Sequence, residues 1–188
     1  FLQQSTLAQA QNVAGKFNEF GKLLTEMRND AQDEMAQVVD RINDLLTSIS
    51  ALNAQVKGTG TLNRSVAGVE DQRDEAIKEL SSLIGISSFT RGDGVMVIQT
   101  TSGVQLADER PTELFFDPSL IGATTTYPGS VAGIYVGGDP QIKPAAFDIT
   151  ASDVGGQLGG LIELRDETLV QYQAQVDELA HKLALRME

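Results

Sequence analysis

The chain has 188 residues, of which 26 are acidic and 14 basic, so its net charge at pH 7 is −12. This balance disfavours nucleic acid, which is bound through clustered Lys and Arg, and also an anionic membrane surface. The lack of Cys excludes a disulfide scaffold and a thiolate metal site. The sequence also contains no run of about 18 apolar residues, the length that a membrane-spanning helix needs. With 5% aromatic residues and no Trp, we expect a thin aliphatic core.

The first element that the sequence predicts is a long helix from Phe1 to about Val56. Its apolar residues recur at alternating steps of three and four, which is typical of a helix that lies along a partner helix. They are Phe17, Phe20, Leu24, Met27, Ala31, Met35, Val38, Ile42, Leu45, Ile49, Leu52 and Val56. At 1.5 Å per residue the rod would be roughly 80 Å long. A rod of this length needs other helices beside it, so the pattern indicates a structural shaft.

A second helix should follow the first after a short connection. The Gly- and Thr-rich stretch 57–61 predicts a turn that ends the first helix. A new helical pattern then runs from Val69 to Ile84, and Gly85 after it predicts a left-handed helix end. Because the connection is short, we expect the two helices to be antiparallel neighbours.

The middle of the chain, from Ile86 to about Thr150, loses the helical period and predicts strands. Two extended runs, 86–90 and 95–99, flank Gly92-Asp93-Gly94, which favours a β-hairpin. Further strand candidates are 104–106, 113–116, 131–136 and 146–150. Pro residues bound these runs, so the strands should be short. We expect a small antiparallel β lobe that is irregular between Asp117 and Ser130.

The last stretch returns to a helix whose seam alternates in steps of four and three. This seam consists of Leu158, Ile162, Arg165, Leu169, Tyr172, Val176, Leu179 and Leu183. The glycines at its start, Gly155, Gly156, Gly159 and Gly160, would allow the helix to begin close to another backbone. The simplest arrangement packs the first and last helices on each other, with the helix from Val69 as the third member.

These patterns predict an α+β fold. It would be an elongated antiparallel bundle of about three helices, with a small antiparallel β lobe inserted between the second and last helices. We expect a single elongated domain over 1–188. It would comprise a helical hairpin at 1–85, a β-rich lobe at 86–152, and a C-terminal helix at 153–188 that returns to the bundle.

The sequence offers few groups for catalysis, and we predict no enzyme activity, cofactor, metal or catalytic residue. His181 is the single His, and no Gly-x-Ser-x-Gly, P-loop or Gly-x-Gly-x-x-Gly motif is present. Two acidic pairs, Asp33-Glu34 and Asp108-Glu109, leave a hydrolase hypothesis open. That hypothesis requires a deep pocket with facing carboxylates in the β lobe, whereas a charged helix face or turn explains the same residues.

Arg91-Gly92-Asp93 resembles the tripeptide that integrins recognise, and a hairpin tip would display it. Gly and Asp are also ordinary turn residues, so the tripeptide fits a plain turn equally well.

Two arginines lie at or beside seam positions, where an unpaired charge is rarely buried. Arg73 and Arg165 either extend their charged ends to water or form carboxylate pairs that fix helix register. The candidate partners are Asp71, Asp74 and the acids of the first helix. Apolar residues flank Arg165 on both turns, which favours the register role there.

Three blocks of sequence carry a resemblance to a known family. The long helix ends in Ile-Ser-Ala-Leu-Asn-Ala-Gln-Val at 49–56, Asp-Gln-Arg-Asp follows at 71–74 with Glu-Leu-Ser-Ser-Leu-Ile-Gly at 79–85, and Leu-Gly-Gly-Leu-Ile-Glu-Leu-Arg-Asp stands at 158–166. In this order they closely resemble the bacterial flagellar hook-associated protein 1 family, the hook–filament junction protein. The resemblance runs from about Leu7 to Met187 and is least specific in the β segment. Val69-Glu70 departs from it, since the family usually has Leu-Leu there.

The resemblance implies a secreted, extracellular structural component of the bacterial flagellum, exported by the flagellar type III apparatus and needed for flagellum assembly and motility. It implies a helical domain with β hairpins, like the inner rod domain of flagellin, and no enzyme activity. Its partners would be the hook protein, other hook-associated proteins and further copies of itself in the junction. The family's terminal coiled-coil segments and outer domain are missing here, so we expect this piece alone to be monomeric.

Two alternatives remain beside the junction protein. One is another flagellar axial protein, either flagellin-like or hook-associated. The other is a secreted adhesive module that displays Arg91-Gly92-Asp93.

Overall fold

The computed structural model of the protein describes residues 2–60, 67–152 and 154–187. The helices are α1 (Leu2–Gly60), α2 (Ala67–Leu83), α3 (Gly156–Glu163) and α4 (Leu169–Met187), and a π-helical turn (Leu164–Thr168) joins the last two. The strands are β1 (Ile86–Thr90), β2 (Met96–Thr100), β3 (Gln105–Ala107), β4 (Leu114–Phe115), β5 (Tyr135–Val136) and β6 (Phe147–Asp148). This order confirms the predicted α+β fold. None of the helices in these ranges is both long and apolar enough to cross a membrane.

Helix α1 has 59 residues and is therefore about 88 Å long. Its predicted seam is correct where the helix is covered: Met35, Ile42 and Ile49, at seven-residue spacing, are fully buried. Nearer the N-terminus the seam is only partly covered, since Leu24 is buried but Phe20 is 50% and Met27 42% exposed. The covered part of α1 is thus the axis on which the other elements pack.

The turn predicted at 57–61 is wrong up to Gly60, because α1 continues to that residue; Thr61 lies outside the described residues. Gly within a helix weakens it by about 1 kcal/mol without breaking it. Two contacts hold the last turn in place. Val56 is buried, and Lys57 Nζ lies 2.5 Å from a Glu109 carboxylate oxygen.

Helix α2 packs beside α1 and buries Leu80 and Ile84 in the common core. Gly85 lies outside the left-handed region, so the predicted left-handed helix end is wrong. Its lack of a side chain has another cause: a Cβ there would lie 2.9 Å from the Val154 carbonyl oxygen. Gly156 makes a closer approach still, with φ of 61° and a would-be Cβ 2.6 Å from the Leu83 carbonyl carbon. The predicted tight start of the last helix is therefore confirmed at Gly156.

The predicted β lobe consists of two antiparallel three-stranded sheets with orders β1-β2-β3 and β4-β5-β6. The predicted hairpin is confirmed, with β1 and β2 joined by a turn in which Gly94 adopts φ of 83°. No strand lies between Asp117 and Ser130, as predicted. Both sheets contribute to the core that packs on α1, through Ile98, Leu106, Leu114 and Val136, and Ile134 and Ile149 beside the second sheet join them. The division into 1–85, 86–152 and 153–188 stays a prediction.

The last helix lies along α1 as expected, but its seam is not continuous. Leu158, Arg165 and Leu169 are buried, whereas Tyr172 is 50% and Leu179 58% exposed. The physical reason is the π-helical turn at Leu164–Thr168, which contains one residue more than an α turn. Each residue adds about 100° of rotation, so the side chains after the turn are rotated relative to those of a continuous α-helix. Beyond this turn the predicted seam is wrong at Tyr172 and Leu179, whereas Leu169 is buried and Val176 half-buried, as predicted.

Candidate functional site

Side-chain amides of α1 hold the β segment on the helix. Asn43 donates from Nδ2 to the Leu114 carbonyl oxygen at 2.9 Å and accepts at Oδ1 from the Leu114 N–H at 2.8 Å. Asn29 binds the carbonyl oxygen and N–H of Ile121 in the same way, at 3.1 and 3.0 Å. Because an amide carries both a donor and an acceptor, each side chain satisfies one backbone residue as a strand partner would. We call these contacts the asparagine clamps.

The third clamp, at Asn53, is fully buried. Its Nδ2 donates to the carbonyl oxygens of Met96 and Asp108, each at 2.8 Å, and its Oδ1 accepts from the Met96 N–H at 2.9 Å. Arg73 of α2 donates from Nη1 to the same Oδ1 at 3.0 Å and to the Gly94 carbonyl oxygen at 2.9 Å. Both hydrogens and both lone pairs of the Asn53 amide are thus used. The node joins α1, α2 and the hairpin.

The partners of Arg73 differ from those predicted. Asp71 and Asp74 point to solvent, and the nearest paired carboxylate is Glu70, 4.0 Å from Nη2. Arg73 itself is buried, so the alternative of a charged end in water is also wrong. Within the described residues its Nε–H has no hydrogen-bond partner. Arg73 acts chiefly as a donor to neutral oxygens.

Arg165, in the π-helical turn, is the largest fully buried side chain of the described residues. Its Nε and Nη2 donate to both carboxylate oxygens of Asp166, at 2.9 and 2.7 Å. Its Nη1 donates to the Ala132 carbonyl oxygen at 3.0 Å and lies 3.5 Å from Gln32 Oε1. The guanidinium also lies 5.8 Å from the centre of the Phe116 ring. The predicted carboxylate pair exists, but with the next residue in sequence; its role in helix register stays a prediction.

A third buried arginine, Arg28, holds the irregular segment on α1. Arg28 donates from Nη2 to the Thr125 carbonyl oxygen at 3.0 Å and from Nε to the Arg165 carbonyl oxygen at 2.9 Å. Burial lowers the pKa of the Arg28 guanidinium. One turn along α1, Gln32 donates to the Ser119 carbonyl oxygen at 2.5 Å. The strandless stretch between β4 and β5 is therefore held by α1 rather than by a sheet.

The hairpin tip is tied to the end of α1 by charge. Arg91 donates from Nε and Nη2 to both Asp93 carboxylate oxygens, at 2.9 and 2.7 Å, and also bonds to Glu109. Lys57 binds Glu109 and lies 3.6 Å from Asp93. The Arg91 guanidinium lowers the pKa of Asp93, and Lys57 lowers that of Glu109. The Arg and Asp of the tripeptide therefore bind each other.

The other predicted candidates are His181 and the two acidic pairs, of which Asp108-Glu109 adjoins the Asn53 clamp and the hairpin tip. His181 is exposed on α4. Of the acidic pairs, Glu34 accepts a hydrogen bond from Gln157 and Asp108 accepts one from the Arg110 N–H, while Asp33 is exposed. Across 2–60, 67–152 and 154–187, no three His, Asp or Glu side chains could share a metal ion.

Sequence reasoning missed the asparagine clamps, although a signal was present. Asn is a poor former of helix interiors because its amide competes with the backbone for hydrogen bonds. Asn29, Asn43 and Asn53 are all inside one helix without a break. This unfavourable position was the signal, but Asn12 and Asn18 of the same helix are exposed, so it did not identify the clamps by itself.

Comparison with known families matches residues 2–188 to the family described as the flagellar hook-associated protein FlgK helical domain. The chain belongs to this family. Flagellar hook-associated protein 1 of Escherichia coli is 23% identical over 182 residues, which cover 95% of this chain and 32% of the relative. The Bacillus subtilis protein of the same name is 28% identical over 107 residues, covering 55% of this chain and 21% of the relative.

A solved structure agrees with the family. The flagellar hook junction protein FlgK from Burkholderia pseudomallei superimposes with a TM-score of 0.75 at 26% identity, over 92% of this chain and 30% of that one. The chain thus spans about a third of the length of these FlgK proteins. Two of the three sequence blocks that resemble the family contain Arg73 and Arg165, which join elements of the fold here.

Proposed function

We propose that this chain is the helical shaft of a flagellar junction protein that links hook and filament, and that it carries load rather than catalysing a reaction. The observation that carries the proposal is the match of residues 2–188 to the FlgK helical domain. The similar Burkholderia protein is called a hook junction protein. We also propose that the 188 residues form one elongated domain divided at 85 and 152.

The geometry supports a load-bearing role. Helix α1 provides an axis of about 88 Å, and the asparagine clamps join it to β2, β4 and the strandless segment at three separate points. Arg73 and Arg165 add cross-links from α2 and from the π-helical turn. A force on either sheet is therefore passed to the helices through several side chains.

The setting of this shaft follows from the proposal. The protein would be exported through the flagellar type III apparatus and would assemble outside the cell. There it would contact the hook protein, other hook-associated proteins and further copies of itself. With a net charge of −12, neither nucleic acid nor a membrane surface is a proposed partner.

A domain exchange tests this function. In a bacterium that needs its own hook-associated protein 1 to build filaments, the helical domain of that protein is replaced by residues 2–188 of this chain. We expect filaments on the cells and motility in soft agar, with the unmodified protein and an empty vector as controls. Bare hooks and flagellin shed into the medium, from a chimera shown to be folded and exported, would contradict the proposal.

The paired hairpin tip argues against the adhesive alternative. Arg91 would have to leave both Asp93 and Glu109 before a receptor could bind the tripeptide. Cell attachment to immobilised protein, compared with its Asp93→Glu variant, measures this directly. We expect no attachment above background for either protein; attachment that Asp93→Glu abolishes would restore the alternative.

A further inference from the structure

The π-helical turn has a side chain of another helix bound to its backbone. Arg28 of α1 is buried and donates from Nε to the Arg165 carbonyl oxygen at 2.9 Å. Within the turn, the Leu169 N–H binds the Leu164 carbonyl five residues earlier, which is the wide spacing of a π-helix. The extra residue rotates all of α4 about its axis by about 100°. Arg28 therefore contacts the helix at the point that decides which face of α4 meets α1.

The observed rotation places Gln173, Val176 and Ala180 at α1 and leaves Tyr172 and Leu179 outside. Gln173 and Ala180 line an open groove between α4 and α1, opposite Gly21. A Cβ on Gly21 would lie 3.4 Å from the Gln173 amide nitrogen. Tyr172 and Leu179, each one residue earlier in sequence, are half exposed or more. The groove exists because the larger residues are turned away from it.

A continuous α-helix from α3 into α4 would exchange these faces. Without the π turn, each later residue would occupy the place of its successor. The residues facing α1 are Leu169, Gln173, Val176 and Ala180 in the observed register, and would be Thr168, Tyr172, Gln175 and Leu179 in the shifted one. Each set contains two large apolar residues, so the two registers bury similar amounts of apolar surface.

We propose that α4 is a two-register helix, and that the hydrogen bond from Arg28 to the Arg165 carbonyl selects the register that displays Tyr172 and Leu179. In the shifted register these side chains fill the groove beside Gly21 and are covered. The change of register alters the outer face of α4, whereas α3 and the core before the π-helical turn keep their positions. An interaction that favours one face would shift the population of registers accordingly.

Thiol cross-linking can read the register, because the chain has no Cys. Gly21→Cys is combined either with Gln173→Cys or with Tyr172→Cys, and each pair is treated with a short bifunctional thiol reagent and analysed by mass spectrometry. In the otherwise unchanged chain, the 21–173 pair should react and the 21–172 pair should not. With Arg28→Met, we expect the ratio of 21–173 to 21–172 product to fall at least about tenfold, the order expected for a lost hydrogen bond from a charged donor.

A matched control separates the register from the attachment of the strandless segment. Arg28→Met also removes the bond to Thr125, whereas Asn29→Ala frees that segment at Ile121 and leaves the Arg165 carbonyl untouched. The ratio should therefore stay unchanged in Asn29→Ala. An unchanged ratio in Arg28→Met, or an equal fall in both variants, would overturn the proposal.

A deletion provides the rescue. Glu167 is exposed within the π turn, and removing it leaves an α turn that keeps α4 in the observed register. In the Arg28→Met chain this deletion should restore the preference for the 21–173 pair. If Arg28→Met alone does not fold, the deletion should recover folding as well; no recovery of either kind would contradict a register role for Arg28.

Discussion

The Arg73 and Arg165 nodes have the same plan but different electrostatics. Each buried guanidinium joins a side-chain amide of α1, Asn53 or Gln32, to a carbonyl oxygen of the β segment. Arg165 also has a bidentate carboxylate, whereas Arg73 has only a carboxylate 4.0 Å away and an Nε–H without a partner in the described residues. The Arg165 node is thus a buried ion pair and the Arg73 node a hydrogen-bond hub, so substitutions at the two should lower the unfolding free energy by different amounts.

The largest effect is expected at the ion pair. Arg165→Met leaves the Asp166 carboxylate, which is 11% exposed, without its partner, so we expect unfolding free energy to fall by about 3–5 kcal/mol. Urea denaturation followed by circular dichroism measures this. The double variant Arg165→Met with Asp166→Asn removes the unpaired charge and should recover about 1–2 kcal/mol. An equal loss in single and double variants would show that the charge pair is not the cause.

Removal of the Asn53 amide should cause the second-largest loss of unfolding free energy. Asn53→Ala leaves the Met96 N–H, two carbonyl oxygens and one Arg73 donor without their partner, and we expect a loss of about 2–4 kcal/mol in the same assay. Asn18→Ala, at an exposed position of the same helix, is the control and should stay within about 0.5 kcal/mol of the parent. A loss as small as that control would mean that the clamp contributes nothing to stability.

Substitution of Arg73 should lower the unfolding free energy less than substitution of the ion-paired Arg165. Arg73→Met leaves no carboxylate buried and unpaired, so we expect a loss of about 1–3 kcal/mol. Combined with Asn53→Ala, its effect should be less than additive, because both changes break the same bond. Full additivity, or a loss that exceeds that of Arg165→Met, would reverse the comparison.

The smallest loss of stability is expected when low pH protonates Asp93 and Glu109 at the hairpin tip. The pKa of Asp93 lies below its ordinary 3.8 and that of Glu109 below 4.5, so their pairs with Arg91 and Lys57 are intact at neutral pH. Carboxylates with lowered pKa values stabilise the fold above their ordinary pKa and lose this effect as pH falls through the folded value. Carboxyl carbon shifts measured by NMR should therefore show Asp93 ionised and Glu109 more than half ionised at pH 4.5. Ordinary titration of either group would contradict the pairing.

The sequence predicted the elements whose partners leave a periodic trace. Met35, Ile42 and Ile49 follow the seam of α1, and Gly92-Asp93-Gly94 predicted the hairpin from turn chemistry. These features depend on neighbours a few residues apart, so composition and spacing were enough.

Two features escaped prediction for physical reasons. The asparagine clamps bind residues 71, 92 and 43 positions away in sequence, and no local period records such partners. The π-helical turn adds one residue to a helix in which both registers offer apolar side chains, so the seam before it gives no sign of the change after it. The Asn side chains and Arg28 both make tertiary hydrogen bonds, which a local pattern does not record.

Amide hydrogen exchange at Leu114 tests most directly whether α1 acts as a strand partner for the β segment. Its N–H donates to Asn43 Oδ1 at 2.8 Å in place of a second strand. In Asn43→Ala, we predict that this amide exchanges at least about tenfold faster under native conditions, while the Met96 and Ile121 amides, held by Asn53 and Asn29, keep their rates. Unchanged exchange at Leu114, or an equal rise at all three amides, would contradict the account.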